Sequence, residues 1–433
     1  MKSMFVGFKD GARSDVLKAL NKLEGVTGVS KNDTGIRIEY TGSHEKIVEV
    51  MSLLDVVNVV EDQRDAGEED EPLFPYMWNH RFMGIDYESA QALRSSGLAP
   101  RNKVKVAVID SGYRPTHPDS PETTHTQSLV PGEAVTDTGS QHSHGTHVLT
   151  SIASPRNSIG IAGILANFGI DYEVYVYKMF SSSGSSSGNY WTALQDCVSR
   201  GVDVVNMSFG HASWLVDSTG SPLSGGCEVG SNSLTADKTV TSLDANFGLL
   251  YQNGLIPVIS AGNSYISGPT SAQYPRGAGE EIQSGIFVPP QDCLGSPAIY
   301  SQTNPGVVSV GAAARDGSRA YYSQKGKGLK VSAYVGGANV TPEFTGFPNT
   351  ALAGSTTSGQ DSYVFMQGTS MAAPLITAVI GVIIGTGAAN VNQCASSSDV
   401  DKILTKLYHG NSNHDLPSPS SDFGWGIFNS SWL

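Results

Sequence analysis

The sequence predicts an α/β fold in which a mostly parallel sheet lies between two layers of helices, preceded by a small α+β domain. Short apolar runs rich in β-branched residues recur after Trp78, and helical or loop segments separate them. Strands that are apolar along their whole length are buried on both faces, which is typical of a parallel sheet covered by helices. The predicted strands are Val104–Ile109, Val174–Met179, Val202–Met207, Leu255–Ile259 and Val307–Val310.

The first 62 residues follow a different pattern, in which strand-like alternation and helical spacing take turns. Met4, Val6 and Phe8 alternate as in a strand, whereas the apolar residues within 16–23 recur at helical spacing. The complete order is β-α-β-β-α-β, a split βαβ of the ferredoxin-like type. The acidic segment that follows has little to bury and predicts an exposed linker. We therefore assign a ferredoxin-like domain to 1–62, a linker to 63–76 and the large domain to 77–433.

Charge and hydropathy argue against two classes of partner. The chain has 27 Lys and Arg against 40 Asp and Glu, whereas nucleic-acid binding needs clustered basic residues. The longest apolar run, Ala372–Gly385, is interrupted by Pro374 and Gly381, so it predicts a buried core helix and no membrane span. Met1–Phe5 lacks the apolar core of a signal peptide. We expect an intracellular protein, or a secreted one if such a signal has been removed.

The four cysteines form no CxxC pair, so a zinc knuckle is not predicted. Cys227 and Cys293 lie in polar, Gly-rich segments and are the candidates for a disulfide. Cys197 lies in a helical stretch, Trp191–Arg200, which predicts a buried thiol. The pairing of all four, Cys394 included, stays open.

Two polar residues stand where predicted apolar strands end. Asp110 follows Val104–Ile109, at the edge of a parallel sheet where catalytic groups collect. A structural carboxylate that caps the next turn fits the same position. Asn263 follows the strand near 255–259 through Ser-Ala-Gly. Its amide is suited either to capping a turn or to donating a hydrogen bond to an oxyanion.

Two further residues stand at the start of predicted helices. His144 is one of three histidines in six positions, with His142 and His147, so a metal site is a second interpretation. No Glu or Cys stands at ligand spacing, and the HExxH pattern is absent. Ser370 opens the most apolar stretch at a Gly-rich turn, which exposes its hydroxyl at the positive end of a helix. An ordinary N-cap serine fits this pattern too.

Together these four positions resemble the subtilase family of serine proteases. The strings VAVIDSG, HGTHV, SAGN and GTSMAAP surround Asp110, His144, Asn263 and Ser370 in the family's order. The resemblance covers Trp78–Leu433 and implies a subtilisin-like α/β/α sandwich with serine endopeptidase activity. It implies that Ser370 attacks the peptide carbonyl while His144 takes its proton. Asp110 would orient the imidazole, and Asn263 would stabilise the oxyanion.

The resemblance also implies a cleft for polypeptide substrates. The string Asn206-Met-Ser-Phe-Gly210 is similar to the family's substrate-binding strand and would form one wall of the primary pocket. The Ser-Ala-Gly triplet before Asn263 would form the other wall. No acidic residue is identifiable at the pocket floor, so we expect apolar or mixed preference over dibasic cleavage. The implied substrate-binding residues are Ser208, Phe209, Gly210, Ser260, Ala261, Gly262 and Gly188.

The cofactor implied by the resemblance is a structural calcium ion. The segments 110–119 and 155–161 resemble the family's high-affinity calcium site, in which an Asp, an Asn and backbone carbonyls hold the ion. The implied ligands are Asp119, Pro155, Asn157, Ile159 and Ile161. An ordinary tight loop is the alternative.

The N-terminal domain resembles the family's propeptide of inhibitor I9 type, a folding chaperone and intramolecular inhibitor. Processing would then fall between Glu61 and Tyr76. The acidic run Glu68–Glu71 departs from the expected apolar tail and leaves an unprocessed, autoinhibited chain as an alternative. Segments near 211–236, 264–297 and 336–362 are expected to be Gly/Ser/Thr-rich insertions.

Three other functions compete with a monomeric, autoprocessed zymogen. The first is a catalytically silent subtilase-like binding protein that retains its propeptide. The second is a metal-dependent hydrolase that uses His142, His144 and His147. The third is a lipase or esterase, against which the missing GxSxG motif argues.

Overall fold

The computed structural model divides the chain into two compact units. One comprises Met1–Tyr76 and Thr341–Pro348, and the other comprises Met77–Val340 and Asn349–Leu433. The residues described are 71–137, 142–181, 190–210, 240–263, 294–337, 350–409 and 418–430, with strands at 2–8, 26–31, 36–40, 56–62, 281–283 and 286–287. The helices predicted in the first 62 residues, and Gly188, Cys227 and Cys293, lie outside these residues.

The first unit contains a four-stranded antiparallel sheet. Its strands are β1 (Lys2–Phe8), β2 (Val26–Lys31), β3 (Ile36–Tyr40) and β4 (Val56–Asp62). Their order is β2-β3-β1-β4, so β1 lies between β3 and β4, as a split βαβ arrangement requires. A one-turn 3-10 helix, Phe74–Tyr76, belongs to the same unit.

The second unit is built around a seven-stranded sheet in which every neighbouring pair is parallel. Its strands are β5 (Lys103–Asp110), β6 (His125–Ser128), β7 (Asp171–Lys178), β8 (Val204–Met207), β9 (Ile256–Ser260), β12 (Val308–Ala313) and β13 (Val331–Tyr334). The order across the sheet is β13-β12-β9-β8-β5-β7-β6. The short strands β10 (Glu281–Gln283) and β11 (Ile286–Phe287) form a separate antiparallel pair. The predicted parallel sheet is confirmed.

Helices cover both faces of this sheet. They are α1 (Trp78–Met83), α2 (Tyr87–Ser95), α3 (His144–Ala153), α4 (Ile164–Asn167), α5 (Tyr190–Ser199), α6 (Val240–Gln252), α7 (Thr369–Thr386) and α8 (Ser397–His409), with a 3-10 helix at Ala298–Gln302. Residues of α3, α4, α7 and α8 share one core with the sheet, and residues of α5, α6 and the 3-10 helix share the other. The result is the predicted three-layer α/β/α sandwich.

The apolar run of β5 shows why the sequence adopts this arrangement. Successive side chains of a strand point to opposite faces. Val106 and Val108 therefore enter one core, while Ala107 and Ile109 enter the other. All four are at most 1% exposed. A strand between two helical layers needs apolar residues where both of its faces are covered, and residues 106–109 supply them.

Helix α7 is the central helix of the larger core. Every residue of it except Ser370 is buried. By length and composition it is the one helix, among the described residues, that resembles a membrane span, yet 94% of its apolar window is buried inside the protein. The core helix predicted for Ala372–Gly385 is therefore confirmed. Pro374 lies within the helix and does not end it.

A β-hairpin occupies part of the segment that we expected to be an insertion near 336–362. Its strands, β14 (Ala351–Thr357) and β15 (Gln360–Met366), pair antiparallel around a two-residue turn. Both turn residues, Ser358 and Gly359, have positive φ angles, of 50° and 77°. This conformation matches the right-handed twist of the strands that flank a two-residue turn. These two strands within the segment were not predicted from the sequence.

Two cysteines lie in the described part of the chain, and both are free and buried thiols. Cys197 of α5 is fully buried, as its helical context predicted. Burial raises the pKa of the Cys197 thiol to about 12, so the thiol stays protonated at neutral pH. Burial raises the pKa of Cys394 as well.

The strand order creates a crevice at one edge of the sheet. From β5 the chain continues to β6 and β7 on one side, whereas from β8 it continues to β9 on the other. Because β5 and β8 are neighbours, their connections diverge beyond the carboxyl ends of the two strands. Open α/β sheets bind ligands at such a point.

Candidate active site

The carboxyl end of β5 carries a buried acid in contact with a histidine. Asp110 is the last residue of β5 and is 1% exposed. Its Oδ1 accepts a hydrogen bond from Nδ1 of His144 at 2.7 Å. The same oxygen accepts the backbone N–H of Ser111 at 2.7 Å, which fixes the carboxylate's orientation. The imidazole is therefore held with its proton on Nδ1, leaving Nε2 as the basic nitrogen.

Two glycines allow the histidine to approach the acid this closely. His144 is the first residue of α3, and Gly145 follows it. A Cβ atom at Gly145 would lie 2.0 Å from the carbonyl oxygen of Gly112, which is closer than real side chains come. Gly112 itself has a φ of 94° and would meet the Val135 carbonyl oxygen at 2.0 Å. The DSG and HG strings thus bring a strand end and a helix start together.

Electrostatics favour the protonated form of His144. Burial alone would lower the pKa of its imidazole, but the charge of Asp110 and the hydrogen bond to it outweigh that effect. Asp137 raises the pKa of His144 further through its negative charge. The net result is a pKa above the ordinary histidine value of 6.5.

Asp137 was not among the residues predicted from the sequence. It is 5% exposed. Its Oδ2 accepts hydrogen bonds from the hydroxyls of Ser111, at 2.6 Å, and Ser143, at 2.8 Å. These serines adjoin Asp110 and His144 in the chain. The signal in the sequence was a serine next to Asp110 and another next to His144, with an acid seven positions before His144.

Ser370 lies in the first turn of α7 and contacts the end of β8. Its hydroxyl donates to the carbonyl oxygen of Ser208 at 3.1 Å, so in this conformation its proton is directed there and not to His144. In return, the Ser208 hydroxyl donates to the carbonyl oxygen of Ser370 at 2.7 Å. The structure thus brings the predicted nucleophile together with the predicted substrate strand.

Pro374 explains why the Ser370 carbonyl is available to Ser208. In a regular helix this oxygen would accept the backbone N–H of residue 374, four positions later. Proline has no N–H, so the carbonyl loses its helical partner. The hydroxyl of Ser208 replaces that donor. The proline of the GTSMAAP string therefore helps to join helix α7 to strand β8.

Asn263 is held by the residue before the nucleophile. Its Oδ1 accepts the backbone N–H and the hydroxyl of Thr369, both at 2.8 Å. With the amide oxygen occupied, the Nδ2 group is directed away from Thr369. A Cβ atom at Gly368 would lie 3.4 Å from Nδ2, which places this donor beside the serine turn. Asn263 therefore caps the helix and also presents an N–H donor there. Thr369 was not predicted from the sequence.

The two predicted pocket walls leave adjacent strands at the same edge. Met207 of β8 pairs with Ile259 of β9, so Ser208–Gly210 and Ser260–Gly262 begin side by side. Three of these residues, Ser208, Ser260 and Ala261, are at most 4% exposed. A Cβ atom at Gly210 would lie 2.8 Å from the Ser296 carbonyl oxygen, and one at Gly262 would overlap the Gln324 side chain. Phe209 is half-buried and packs against the core behind this wall.

Comparison with known proteins agrees with this geometry. The model of the subtilase family, Peptidase_S8, matches residues 101–426, which is most of the 433-residue chain. The chain belongs to the subtilase family.

Relatives with a similar sequence include bacterial subtilisins. Subtilisin E of Bacillus subtilis (strain 168) is 31% identical over 305 residues, which cover 70% of this subtilase and 60% of that protein. The subtilisin of Bacillus pumilus is also 31% identical over 305 residues, covering 70% of this chain and 83% of its own. The match thus spans about three fifths of the length of subtilisin E.

Two solved structures share the fold. A lanthipeptide protease superposes with a TM-score of 0.55 at 19% identity, covering 84% of this subtilase and 97% of that chain. The epidermin leader peptide processing serine protease of Staphylococcus aureus superposes with a TM-score of 0.57 at 19% identity. That match covers 99% of this chain and 96% of the other.

The three clustered histidines of this subtilase have separate partners. The Nδ1 atom of His142 lies 2.8 Å from the Thr356 carbonyl oxygen. The Nε2 atom of His147 lies 3.1 Å from the Val364 carbonyl oxygen, while His144 contacts Asp110. Burial lowers the pKa of His147 to about 4, so it is a neutral donor to the hairpin. This geometry gives the metal-hydrolase alternative no support.

The predicted calcium segment is closed by hydrogen bonds. Asp119 is fully buried, and its Oδ1 accepts Nδ2 of Asn157 at 3.0 Å. Its Oδ2 accepts the backbone N–H of Ile161 at 2.9 Å. The Oδ1 of Asn157 accepts the backbone N–H of Ile159 at 3.0 Å. N–H groups therefore occupy the side-chain oxygens that would bind a cation.

This arrangement does not fit a bound calcium ion, which needs six to eight oxygen ligands directed at one point. The carbonyl oxygen of Ile161 accepts the Ser154 hydroxyl at 2.9 Å. No metal-binding group of three or more His, Cys, Asp or Glu side chains occurs within the described residues. Calcium at Asp119, Pro155, Asn157, Ile159 and Ile161 stays a prediction of the sequence resemblance.

Proposed function

We propose that this subtilase is a serine endopeptidase that hydrolyses polypeptides through an acyl-enzyme. The observation that carries the proposal is the hydrogen bond between buried Asp110 and His144 Nδ1, at the strand edge where open sheets bind ligands. A carboxylate in that position stabilises the imidazolium that forms when a histidine acts as a general base. Family membership supports the same chemistry.

The reaction begins when the Ser370 hydroxyl leaves the Ser208 carbonyl oxygen and turns toward His144. The oxygen attacks the scissile carbonyl while Nε2 of His144 takes its proton. The resulting oxyanion accepts hydrogen bonds from Asn263 Nδ2 and the Ser370 backbone N–H. Collapse breaks the C–N bond, and the imidazolium returns its proton to the leaving amine. Water then repeats the attack on the acyl group and regenerates the Ser370 hydroxyl.

The substrate lies between the two walls of small residues. Ser208–Gly210 and Ser260–Gly262 continue adjacent parallel strands, and an extended peptide is proposed to pair its main chain with the Ser208–Gly210 wall. Backbone pairing recognises the peptide main chain, so sequence tolerance is broad. Gly188 is proposed to border the pocket upstream of the scissile bond.

A fluorophosphonate probe tests the nucleophile. The processed protein is expected to be labelled at one serine, and the Ser370→Ala variant is expected not to be labelled. A Ser95→Ala variant serves as the matched control, because Ser95 lies in α2 with its hydroxyl bonded to the Gln91 carbonyl. An intact, processed wild-type protein that resists the probe would favour a catalytically silent binding protein.

We further propose that residues 1–62 act as an autoprocessed propeptide and intramolecular inhibitor of a monomeric enzyme. The four-stranded sheet of the first unit supports a separately folded domain. N-terminal sequencing of the wild type beside Ser370→Ala tests the proposal. A cut between Glu61 and Tyr76 in the wild type alone is expected. An uncut but probe-reactive wild type would contradict autoprocessing and leave the peptidase proposal standing.

A further inference from the structure

The carboxylate of Asp137 joins the two chain segments that carry the acid and the base. Its Oδ2 accepts the hydroxyl of Ser111, next to Asp110 on the strand side, at 2.6 Å. It also accepts the hydroxyl of Ser143, next to His144 on the helix side, at 2.8 Å. One buried oxygen atom thus bridges the end of β5 and the start of α3.

The oxygens of the same two hydroxyls also accept hydrogen bonds from α3. The Ser111 oxygen accepts the backbone N–H of Gly145 at 3.0 Å. The Ser143 oxygen is the N-cap of α3 and accepts the backbone N–H of Thr146 at 3.4 Å. Each serine therefore satisfies an N–H of the first helical turn and directs its proton to Asp137. The negative charge of Asp137 also lies near the N-terminus of α3, which is the positive end of the helix dipole.

Hydrogen bonds to other segments of the chain hold the backbone around Asp137 in place. Its backbone N–H donates to the Tyr113 carbonyl oxygen at 2.8 Å. The preceding residue, Thr136, accepts the ammonium group of Lys178 at 3.0 Å. Lys178 is 1% exposed and forms an ion pair with Glu133 at 3.2 Å. The backbone at 136–137 is therefore anchored to the end of β7, while the Asp137 carboxylate is held at the β5–α3 junction.

We propose that Asp137 is a positioning residue that holds His144 against Asp110 and adds a second negative charge beside the imidazole. The proposal rests on the proposed peptidase function. Among the residues that the structure describes, the ionisable groups that act on His144 are Asp110, Asp137 and the buried His147 of the next helical turn. His147 is neutral at the working pH, so the two carboxylates dominate.

The deciding variant is Asp137→Asn, because an amide oxygen can keep both serine hydrogen bonds while the charge is lost. Loss of that charge lowers the pKa of His144. The acid limb of the pH–rate profile for fluorophosphonate labelling should therefore move to lower pH. At the pH optimum the labelling rate should fall less than about tenfold, since the geometry is kept. A purely structural residue would leave the acid limb in place.

The matched control is Asp171→Asn, which makes the same charge change at the opposite end of the sheet. Asp171 begins β7, and its side chain is 72% exposed. The acid limb of this control is expected to stay in place. Asp137→Ala removes the bridge as well as the charge, and its labelling rate should fall by about 10²-fold, the cost of a misplaced catalytic group. Asp137→Asn decides the case if Asp137→Ala does not fold.

The titration of His144 by NMR in a Ser370→Ala background gives a readout that does not depend on activity. A lower pKa in Asp137→Asn than in the parent, with no change in Asp171→Asn, supports the proposal. An unchanged pKa, or an acid limb that moves equally in both variants, overturns it. If the wild type is not labelled at Ser370, the peptidase proposal fails, and the NMR titration still reports on Asp137.

Discussion

Two buried aspartates in this subtilase show how the partner of a carboxylate decides its role. Asp110 and Asp119 are only nine positions apart and at most 1% exposed. Asp110 accepts a hydrogen bond from an imidazole, a group that gains and loses a proton near neutral pH. Asp119 accepts its hydrogen bonds from an amide side chain and a backbone N–H, neither of which titrates.

Burial alone therefore does not identify a catalytic acid. Both aspartates satisfy the rule that a buried charge must be hydrogen-bonded. Of the two, only Asp110 has a partner that titrates, so only its negative charge can stabilise the protonated form of that partner. The same comparison separates activity from stability, because a change at Asp110 should affect the reaction and a change at Asp119 should affect the fold.

The largest effect is expected from Asp110→Asn. The amide keeps the shape of the side chain but cannot hold His144 in the required tautomer or stabilise its cation. The rate of casein hydrolysis by the processed enzyme should fall by about 10⁴-fold. Circular dichroism should show an intact fold. A variant within tenfold of the wild type would show that Asp110 does not orient the base.

The second effect is expected from Asp119→Asn, and it should appear in stability. One oxygen becomes an NH₂ group that faces an N–H donor, so a hydrogen bond to a charged group is lost. We expect a loss of about 2 kcal/mol in the free energy of unfolding, with little change in the rate constant per folded molecule. Thermal unfolding measures this, and Asp361→Asn, which removes a partly exposed ion pair with Arg114, is the control. A large loss of catalytic rate without loss of stability would contradict the comparison.

The third effect is a shift of the pH profile. The neutral imidazole of His144 is the reactive form, and its pKa lies above 6.5 in the folded protein. Activity should therefore fall as the pH decreases through this raised pKa, with the midpoint of the acid limb above 6.5. The profile of kcat/KM for a peptide substrate measures it. A midpoint below 6.5 would mean that burial outweighs the two carboxylates.

The smallest effect is expected from calcium removal. Because hydrogen bonds already satisfy Asp119 and Asn157, a chelator should change the melting temperature by less than about 1 °C. An ion held at 100 times its dissociation constant would contribute about 2.7 kcal/mol, which thermal unfolding readily detects. A drop of several degrees that added calcium reverses would establish the cation site and would require the Asn157 amide to turn around.

The sequence predicted the sheet better than the parts that cover it. Val104–Ile109 was recognisable because a strand buried on both faces is apolar over most of its length, here with Lys105 as the one exception. The hairpin Ala351–Met366 was missed because small and hydroxyl residues also dominate loops. Its burial depends on contacts with α3, such as the one between His147 and Val364, which lie more than 200 positions apart. The Ser358–Gly359 turn was its one local signal.

The residues of the candidate site also fall into those that the sequence predicted and those that it did not. Asp110, His144, Asn263 and Ser370 stand in recognisable strings, so the sequence alone placed them at strand ends and helix starts. Asp137 and Thr369 carry no such string, and their contacts exist only after distant segments meet. The hydrogen bonds that close the loop at Asn157 were unpredictable for another reason. An Asn side chain presents either its oxygen or its nitrogen to a neighbour, and the sequence does not specify which.

Ser370 lies on a helix that the rest of the core encloses, and this bears on whether the proposed peptidase could digest its own chain during folding. Helix α7 follows every strand of the parallel sheet in the chain, and ribosomes deliver the amino-terminal part first. A nascent chain therefore contains the strand that bears Asp110 well before Ser370, the proposed nucleophile, has been synthesised. The proposed hydrolytic activity requires helix α7 to be in place, by which time the strands of the sheet are paired and no longer available as extended segments for a protease to cut.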